Sequence, residues 1–278
     1  MNAQTFDFAE DSTVEMWLAR RLPFDTKTIE EKSACARLRA MLKRLGHSES
    51  EILSGVYTSL QGGRFDIENV LAYNIGMSSF AQAGRNGMHF RRIWGAPKVS
   101  PSGNRFEHHH AYQLVASPAK PANGVNLELE LSCIDDVARV WWAVSGTSAA
   151  NIAAGVRLPV AGRFALHVEV GMPQKKRLHN AIKKLLDGIV AALHSEPAPS
   201  AEAVDRLARY LSLPVSDVVR RLSDPAVAVL GERSGLVRPY RNFVQWHPED
   251  DRCDSITVIA CGSPGSCSVT VTELGETR

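Results

Sequence analysis

The sequence lacks any cysteine pattern that would cross-link the chain or hold zinc. Five cysteines are spread over 278 residues: Cys35, Cys133, Cys253, Cys261 and Cys267. Their odd number and wide spacing do not fit a disulfide framework, and no CxxC or paired CxxH spacing indicates a zinc site. We therefore expect reduced thiols, as is typical of cytoplasmic proteins.

Long apolar runs are also missing. No uncharged stretch approaches the roughly 18 residues that a membrane-spanning helix requires. The N-terminal region carries Asp7, Glu10 and Glu15 before any apolar run, which is the reverse of a secretory leader. The sequence thus predicts a cytoplasmic protein that does not associate with membranes.

A dominant charge of one sign is absent as well. Lys and Arg total 32 against 30 Asp and Glu, for a formal net charge of +2. No overall field attracts the protein to nucleic acid, so any such attraction must be local. The GxSxG elbow, the phosphate-binding P-loop and a GxGxxG motif after a strand are absent too, which argues against serine-hydrolase, ATPase and dinucleotide-dependent chemistry.

Helical patterns dominate residues 1–62. A first short helix is predicted to end at Pro23, and a longer amphipathic helix follows Thr28. Ser48 and Glu51 have the spacing of a capping box before a third apolar run. We predict that this region is an N-terminal helical segment.

The apolar period changes to two within residues 63–160. Leu127, Leu129 and Leu131 alternate with polar residues, as in a half-buried strand, and the alternation recurs at residues 140–144. We predict a β-rich region and assign the fold class as α+β, in which a mixed or antiparallel sheet has helices packed on one face.

Three consecutive histidines, His108, His109 and His110, lie on one of these predicted strands. His108 and His110 point to one face of a strand and His109 to the other, so at most two can share a metal ion. Because the sequence supplies no third ligand, we interpret all three as buried or surface imidazoles.

Residues 161–278 carry the most informative pattern. A predicted strand is followed by a basic helix with an apolar stripe and a polar row beside it. The basic and polar residues of this helix are Lys175, Lys176, Arg177, Asn180, Lys183, Lys184 and Asp187. The acidic pair Asp250 and Asp251 comes later, just before two further predicted strands.

This order resembles that of the RusA-type Holliday-junction resolvases. In that family a strand leads into a helix that runs D-x-D-N-x-x-K-x-x-x-D, and a second acidic pair heads a later strand. Asn180, Lys183 and Asp187 fall at matching positions, and Asp250 and Asp251 supply the pair.

The resemblance implies an α/β region that acts as a Mg²⁺-dependent DNA endonuclease. It implies that Asp251 and Asp250 are catalytic and that Lys183 holds the scissile phosphate. Asp251 and Asp187 would then bind Mg²⁺. We add Glu169, near the end of the preceding strand, as a replacement for a lost ligand.

Two substitutions favour a different hypothesis. Arg177 and His179 stand where the family has its two leading carboxylates. The second hypothesis is therefore a non-catalytic nucleic-acid-binding or assembly subunit that has lost the metal site. A third hypothesis is a protein-interaction module that does not bind nucleic acid. A homo-oligomer or a complex with a partner protein is compatible with the second and third hypotheses. The residues predicted to bind nucleic acid are Lys175, Lys176, Arg177, Asn180, Lys184, Arg220 and Arg221.

Residues 195–243 form a helical insertion between the basic helix and the acidic pair. Part of it resembles a DNA-binding helix-turn-helix, with Arg220 and Arg221 on the second helix and Ser212 in place of the customary turn glycine. A plain helical hairpin gives the same alternation of Leu and Val, and we favour this simpler interpretation.

Overall fold

The computed structural model describes residues 5–24, 27–46, 48–61, 63, 65–147, 162–172 and 177–275. The chain divides into two compact units, each made of stretches that are distant in sequence. The first unit contains Met1–Lys120, Lys175–Asn180 and Asp251–Gly262, and the second contains Pro121–Gln174, Ala181–Asp250 and Ser263–Arg278. The division predicted at residues 62 and 160 rests on sequence pattern alone and stays a prediction.

The elements follow one another in a mixed α+β order. They are β1 (Phe6–Glu10), β2 (Val14–Leu18), α1 (Ile29–Arg44), β3 (Glu51–Ser59), β4 (Gly87–Trp94), β5 (His108–Ala116), β6 (Val125–Glu130), α2 (Val137–Ser145), β7 (Arg163–Gly171), α3 (Leu178–Ala192), β8 (His194–Ser195), α4 (Ala201–Leu211), α5 (Val215–Ser223), β9 (Gly231–Glu232), β10 (Val237–Tyr240), β11 (Phe243–Trp246), β12 (Cys253–Cys261) and β13 (Ser266–Leu274). No helix in the described part of the chain is long and apolar enough to cross a bilayer.

The first unit contains a mixed sheet with the strand order β1-β2-β5-β3-β4-β12. β3 and β4 are parallel, whereas the other neighbouring pairs are antiparallel. Helix α1 belongs to the same unit and begins with a capping box. Thr28 Oγ1 accepts a hydrogen bond from Glu31 N at 3.2 Å, and the Glu31 carboxylate accepts one from Thr28 N at 2.8 Å. The helix predicted after Thr28 is therefore confirmed.

The predicted helical segment over residues 1–62 is otherwise wrong. The chain begins with strands β1 and β2, and the run after Ser48 is strand β3. All five residues of β2 are buried. A short apolar run without alternation does not distinguish a buried strand from a buried helix, and helices were therefore predicted where β2 and β3 lie.

The second unit contains the antiparallel strands β7-β13-β6, two short strand pairs and most of the remaining helices. The predicted strands in β6, β7 and β13, the helix α3 and the helical hairpin α4–α5 are all present. Ser212 takes the left-handed conformation (φ 57°) at the end of α4, where a glycine is customary.

The strand predicted at residues 140–144 is wrong, because these residues form part of helix α2. Asp136 caps this helix through a carboxylate oxygen 3.0 Å from Arg139 N. Val140, Trp141 and Val144 are buried, at the spacing of one helical face.

Candidate nucleic-acid interface

Three of the predicted site residues meet in the second unit. Lys183 Nζ lies 2.7 Å from Asp187 Oδ1, one turn further along α3, and 3.2 Å from Asp250 Oδ2. The three side chains are between 13% and 20% exposed, so water screens these pairs only partly. One ammonium group thus compensates two carboxylates that are 63 residues apart in sequence.

This arrangement does not fit the magnesium site that the resemblance implies. Mg²⁺ requires several oxygen ligands, and here the Lys183 ammonium already neutralises two of the predicted acids. His179, in place of a leading carboxylate, is buried, and burial lowers its pKa, with a smaller contribution from Arg177. A neutral imidazole and a guanidinium do not replace two carboxylates around a hard cation.

The other predicted ligands have separate surroundings. Asp251 lies in the 3₁₀ turn Asp250–Arg252, and its backbone carbonyl accepts a hydrogen bond from Arg92 Nη1 at 3.3 Å. Glu169 lies on β7, where its carboxylate is 3.3 Å from His167 Nε2. Their roles as metal ligands stay predictions.

The predicted nucleic-acid contacts differ in their availability. Arg177, Asn180 and Lys184 are exposed. Lys175 and Lys176 lie outside the described residues.

On α5, the Arg220 side chain is 73% exposed and pairs with Asp217 at 3.3 Å. Arg221 instead lies over the Trp142 ring, 4.0 Å from its centroid, and donates to the Trp142 carbonyl at 3.1 Å. Burial lowers the pKa of Arg221. Arg221 therefore joins α5 to α2, and Arg220 is the residue of this pair that faces solvent.

A groove of about 830 Å³ in the second unit combines cationic and aromatic side chains. We call it the α4 groove, because helix α4 supplies three of its lining residues, Arg206, Arg209 and Tyr210. Its cationic and aromatic lining consists of Lys184, Arg206, Arg209, Tyr210, Phe243 and Trp246. Of these, only Lys184 was among the residues predicted from the sequence.

The β10–β11 hairpin is held firmly against α4. Arg206 pairs with Glu202 at 2.5 Å and donates from Nη1 to the Phe243 carbonyl at 3.2 Å. The buried Glu196 carboxylate accepts hydrogen bonds from Gly235 N at 2.8 Å and Val237 N at 3.1 Å, which fixes the start of the hairpin. The groove is therefore largely preformed.

Two aromatic rings of the α4 groove are open to solvent. Phe243 is 63% exposed and Tyr210 is 48% exposed. Trp246, which also lines the groove, packs against Trp141 with ring centroids 5.3 Å apart. An exposed phenylalanine on a fixed hairpin contributes little to the core, and such surfaces are typical of binding sites.

The charges of the groove are unequal. Lys184, Arg206 and Arg209 face Asp135 and Asp136. Asp136 is already engaged, because it caps α2 and accepts a hydrogen bond from the Tyr210 hydroxyl. Arg206 is engaged as well, by Glu202 and the Phe243 carbonyl, so Lys184 and Arg209 are the cations that a ligand would meet. The hydrogen bond to Asp136 is the largest cause of the raised pKa of Tyr210, which keeps the phenol protonated. The balance favours an anionic ligand with flat, stackable groups.

Comparisons with protein-family models and with curated proteins find no match to this chain. Its function is therefore argued from the geometry of its sites.

Proposed function

We propose that this protein binds single-stranded nucleic acid in the α4 groove and does not cleave it. The observation that carries the proposal is the presence of exposed aromatic rings and cationic side chains along one preformed groove. Unpaired bases stack on aromatic faces, and phosphates are attracted by Lys and Arg. Phe243 and Tyr210 would receive bases, while Lys184 and Arg209 would contact the backbone.

The absence of cleavage is argued from the Lys183 cluster. Phosphodiester hydrolysis through Mg²⁺ needs carboxylates that converge on the ion. Asp187 and Asp250 both contact the Lys183 ammonium, and Arg177 and His179 supply no carboxylate. Lys183, Asp187 and Asp250 then stabilise the second unit as an ion-paired cluster.

We expect Phe243→Ala to weaken binding of a fluorescent oligothymidine about tenfold, since loss of one stacking platform costs roughly 1–3 kcal/mol. Fluorescence anisotropy at fixed salt measures the affinity. The matched control is Phe24→Ala, because Phe24 is 62% exposed and lies in the first unit. Equal affinities for the two variants would remove the α4 groove from the proposal.

Arg209→Gln is expected to lower the slope of log affinity against log salt by about 0.7, the value for one phosphate contact on a single strand. Arg220→Gln is the control: it removes an equally charged, exposed side chain from α5, which is absent from the groove lining. A slope that both variants lower equally would indicate diffuse attraction instead of a groove.

A magnesium-dependent endonuclease is the second candidate, because three residues at positions of the resolvase pattern, Lys183, Asp187 and Asp250, lie together. Purified protein is incubated with branched and linear DNA and with Mg²⁺ or Mn²⁺. We expect no cleavage above that of the Asp250→Asn variant. Cleavage by the wild type that is lost in Asp250→Asn and Asp251→Asn would establish the nuclease and refute the non-catalytic proposal.

A further inference from the structure

The first unit contains a separate cavity of about 320 Å³, which we call the His108 pocket. Its wall includes Arg21, Tyr57, Gln61, Phe65 and His108, all from the first unit. The pocket lies at the end of β3 and the start of β5, where Ser59 and His108 are opposite each other in the sheet register. None of these residues belongs to the α4 groove.

His108 is the unusual group of this pocket. It is 2% exposed, and its Nδ1 lies 2.7 Å from the Tyr57 hydroxyl and 3.1 Å from Ser59 Oγ. Its Nε2 is buried and has no hydrogen-bond partner among the described residues. A buried polar atom without a partner costs free energy, so a ligand that pairs with Nε2 gains an interaction that the protein alone leaves unmade.

The hydrogen bonds around His108 indicate which proton the ring carries. Burial is the main cause that lowers the pKa of His108, so the imidazole is neutral near pH 7. Burial also raises the pKa of Tyr57, which keeps its hydroxyl protonated. Ser59 Oγ accepts a hydrogen bond from Gln61 N at 3.0 Å. With the Tyr57 hydroxyl donating to Nδ1, the proton of the neutral ring lies on Nε2, and Nε2–H is a donor.

Arg21 supplies further donors to the pocket, whereas the Gln61 side-chain amide donates to the Glu107 carboxylate. The Arg21 guanidinium lies over the Phe65 ring, 4.5 Å from its centroid, and it forms no ion pair with any residue that the structure describes. Phe65 and Pro23 supply an apolar wall. A guanidinium, an imidazole N–H and an aromatic ring together match a small molecule with an oxyanion at one end and an apolar body at the other.

We propose that the His108 pocket binds a small organic anion whose carboxylate or phosphate oxygens accept from His108 Nε2–H and Arg21, while its apolar body packs against the wall that contains Pro23. The pocket volume is near the lower end of the roughly 300–1,000 Å³ range of ligand sites, which restricts the ligand to about one ring. This site is independent of nucleic-acid binding.

The test titrates the full-length protein with phenyl phosphate, benzoate and inorganic phosphate by isothermal calorimetry. We expect binding of at least one of the two aromatic anions, more tightly than inorganic phosphate. Preference for phenyl phosphate identifies a phosphate ligand and preference for benzoate a carboxylate ligand, and either supports the site. No heat with any probe overturns the proposal.

Substitutions test whether the probe binds in the His108 pocket. Arg21→Gln and His108→Gln are each expected to weaken it at least tenfold. Arg21 is exposed, so its variant keeps the test valid if His108→Gln does not fold. Arg91→Gln, on an exposed position of β4, is the control that leaves the affinity unchanged. Binding that survives Arg21→Gln undiminished rules out the pocket.

Discussion

Arg92→Ala is expected to lose about 3–5 kcal/mol of unfolding free energy, the usual cost of removing one partner from a buried ion pair. The Arg92 side chain is 1% exposed, and its Nη1 lies 3.3 Å from Asp254 Oδ1. Asp254 is itself 8% exposed, so the alanine variant removes the guanidinium from a poorly solvated carboxylate. The guanidinium also lies over the Phe65 ring, 4.0 Å from its centroid, and this contact is lost as well.

Urea denaturation followed by circular dichroism measures this loss. Arg91→Ala is the matched control: Arg91 is the preceding residue of β4 and is exposed, so its loss is expected to stay within about 0.5 kcal/mol. The double variant Arg92→Met/Asp254→Asn removes both charges and is expected to recover part of the stability, because no buried charge is left alone. Equal, small losses for Arg92→Ala and Arg91→Ala would show that the pair contributes little.

Acidification is expected to destabilise the protein, with His110 as a principal cause. His110 is fully buried, and burial lowers its pKa to about 3, with smaller contributions from His109 and His108. In the unfolded chain a histidine has a pKa of about 6.5. Between these two values the unfolded state binds one proton that the folded state does not. Stability therefore rises with pH across this window and falls on acidification, by up to about 1.4 kcal/mol per pH unit from this residue.

His110→Phe tests this assignment because it keeps a ring of similar shape without a titrating group. His110 Nδ1 is 3.2 Å from the Tyr112 hydroxyl oxygen. The Tyr112 hydroxyl donates its proton to the Leu71 carbonyl at 2.7 Å, and this partner is kept in the variant. The unfolding free energy is measured at pH 7, 6, 5 and 4. We expect it to fall less steeply for His110→Phe than for the wild type, and the difference in slope corresponds to about one proton. Parallel pH curves for wild type and variant would exclude His110 as the cause.

The sequence predicted the elements whose apolar residues keep one period. β6 alternates and pairs with β13, and α3 has an apolar stripe that is buried along its length. It failed where burial is not one-sided: β2 is buried throughout, and the Val140–Val144 alternation also fits a helical face. Local periodicity does not decide such cases, because long-range packing does.

The candidate sites show the same limit. The resemblance to resolvases led to Lys183, Asp187 and Asp250, which do lie together in the second unit, although as an ion-paired cluster. The α4 groove was missed because it joins residues of α4 to the β10–β11 hairpin. The side-chain hydrogen bond from Arg206 to the Phe243 carbonyl spans 37 residues, and no local sequence pattern predicts it.

The interleaved path of the chain has a consequence for its synthesis. Strand β12 pairs with β4 in the first unit, yet it is separated from β4 in sequence by most of the second unit. A nascent chain therefore cannot complete the first unit until Cys261 has left the ribosome, after most of the second unit has been made. No single cut yields either unit intact, so limited proteolysis and truncation are expected to produce insoluble fragments in place of separable domains.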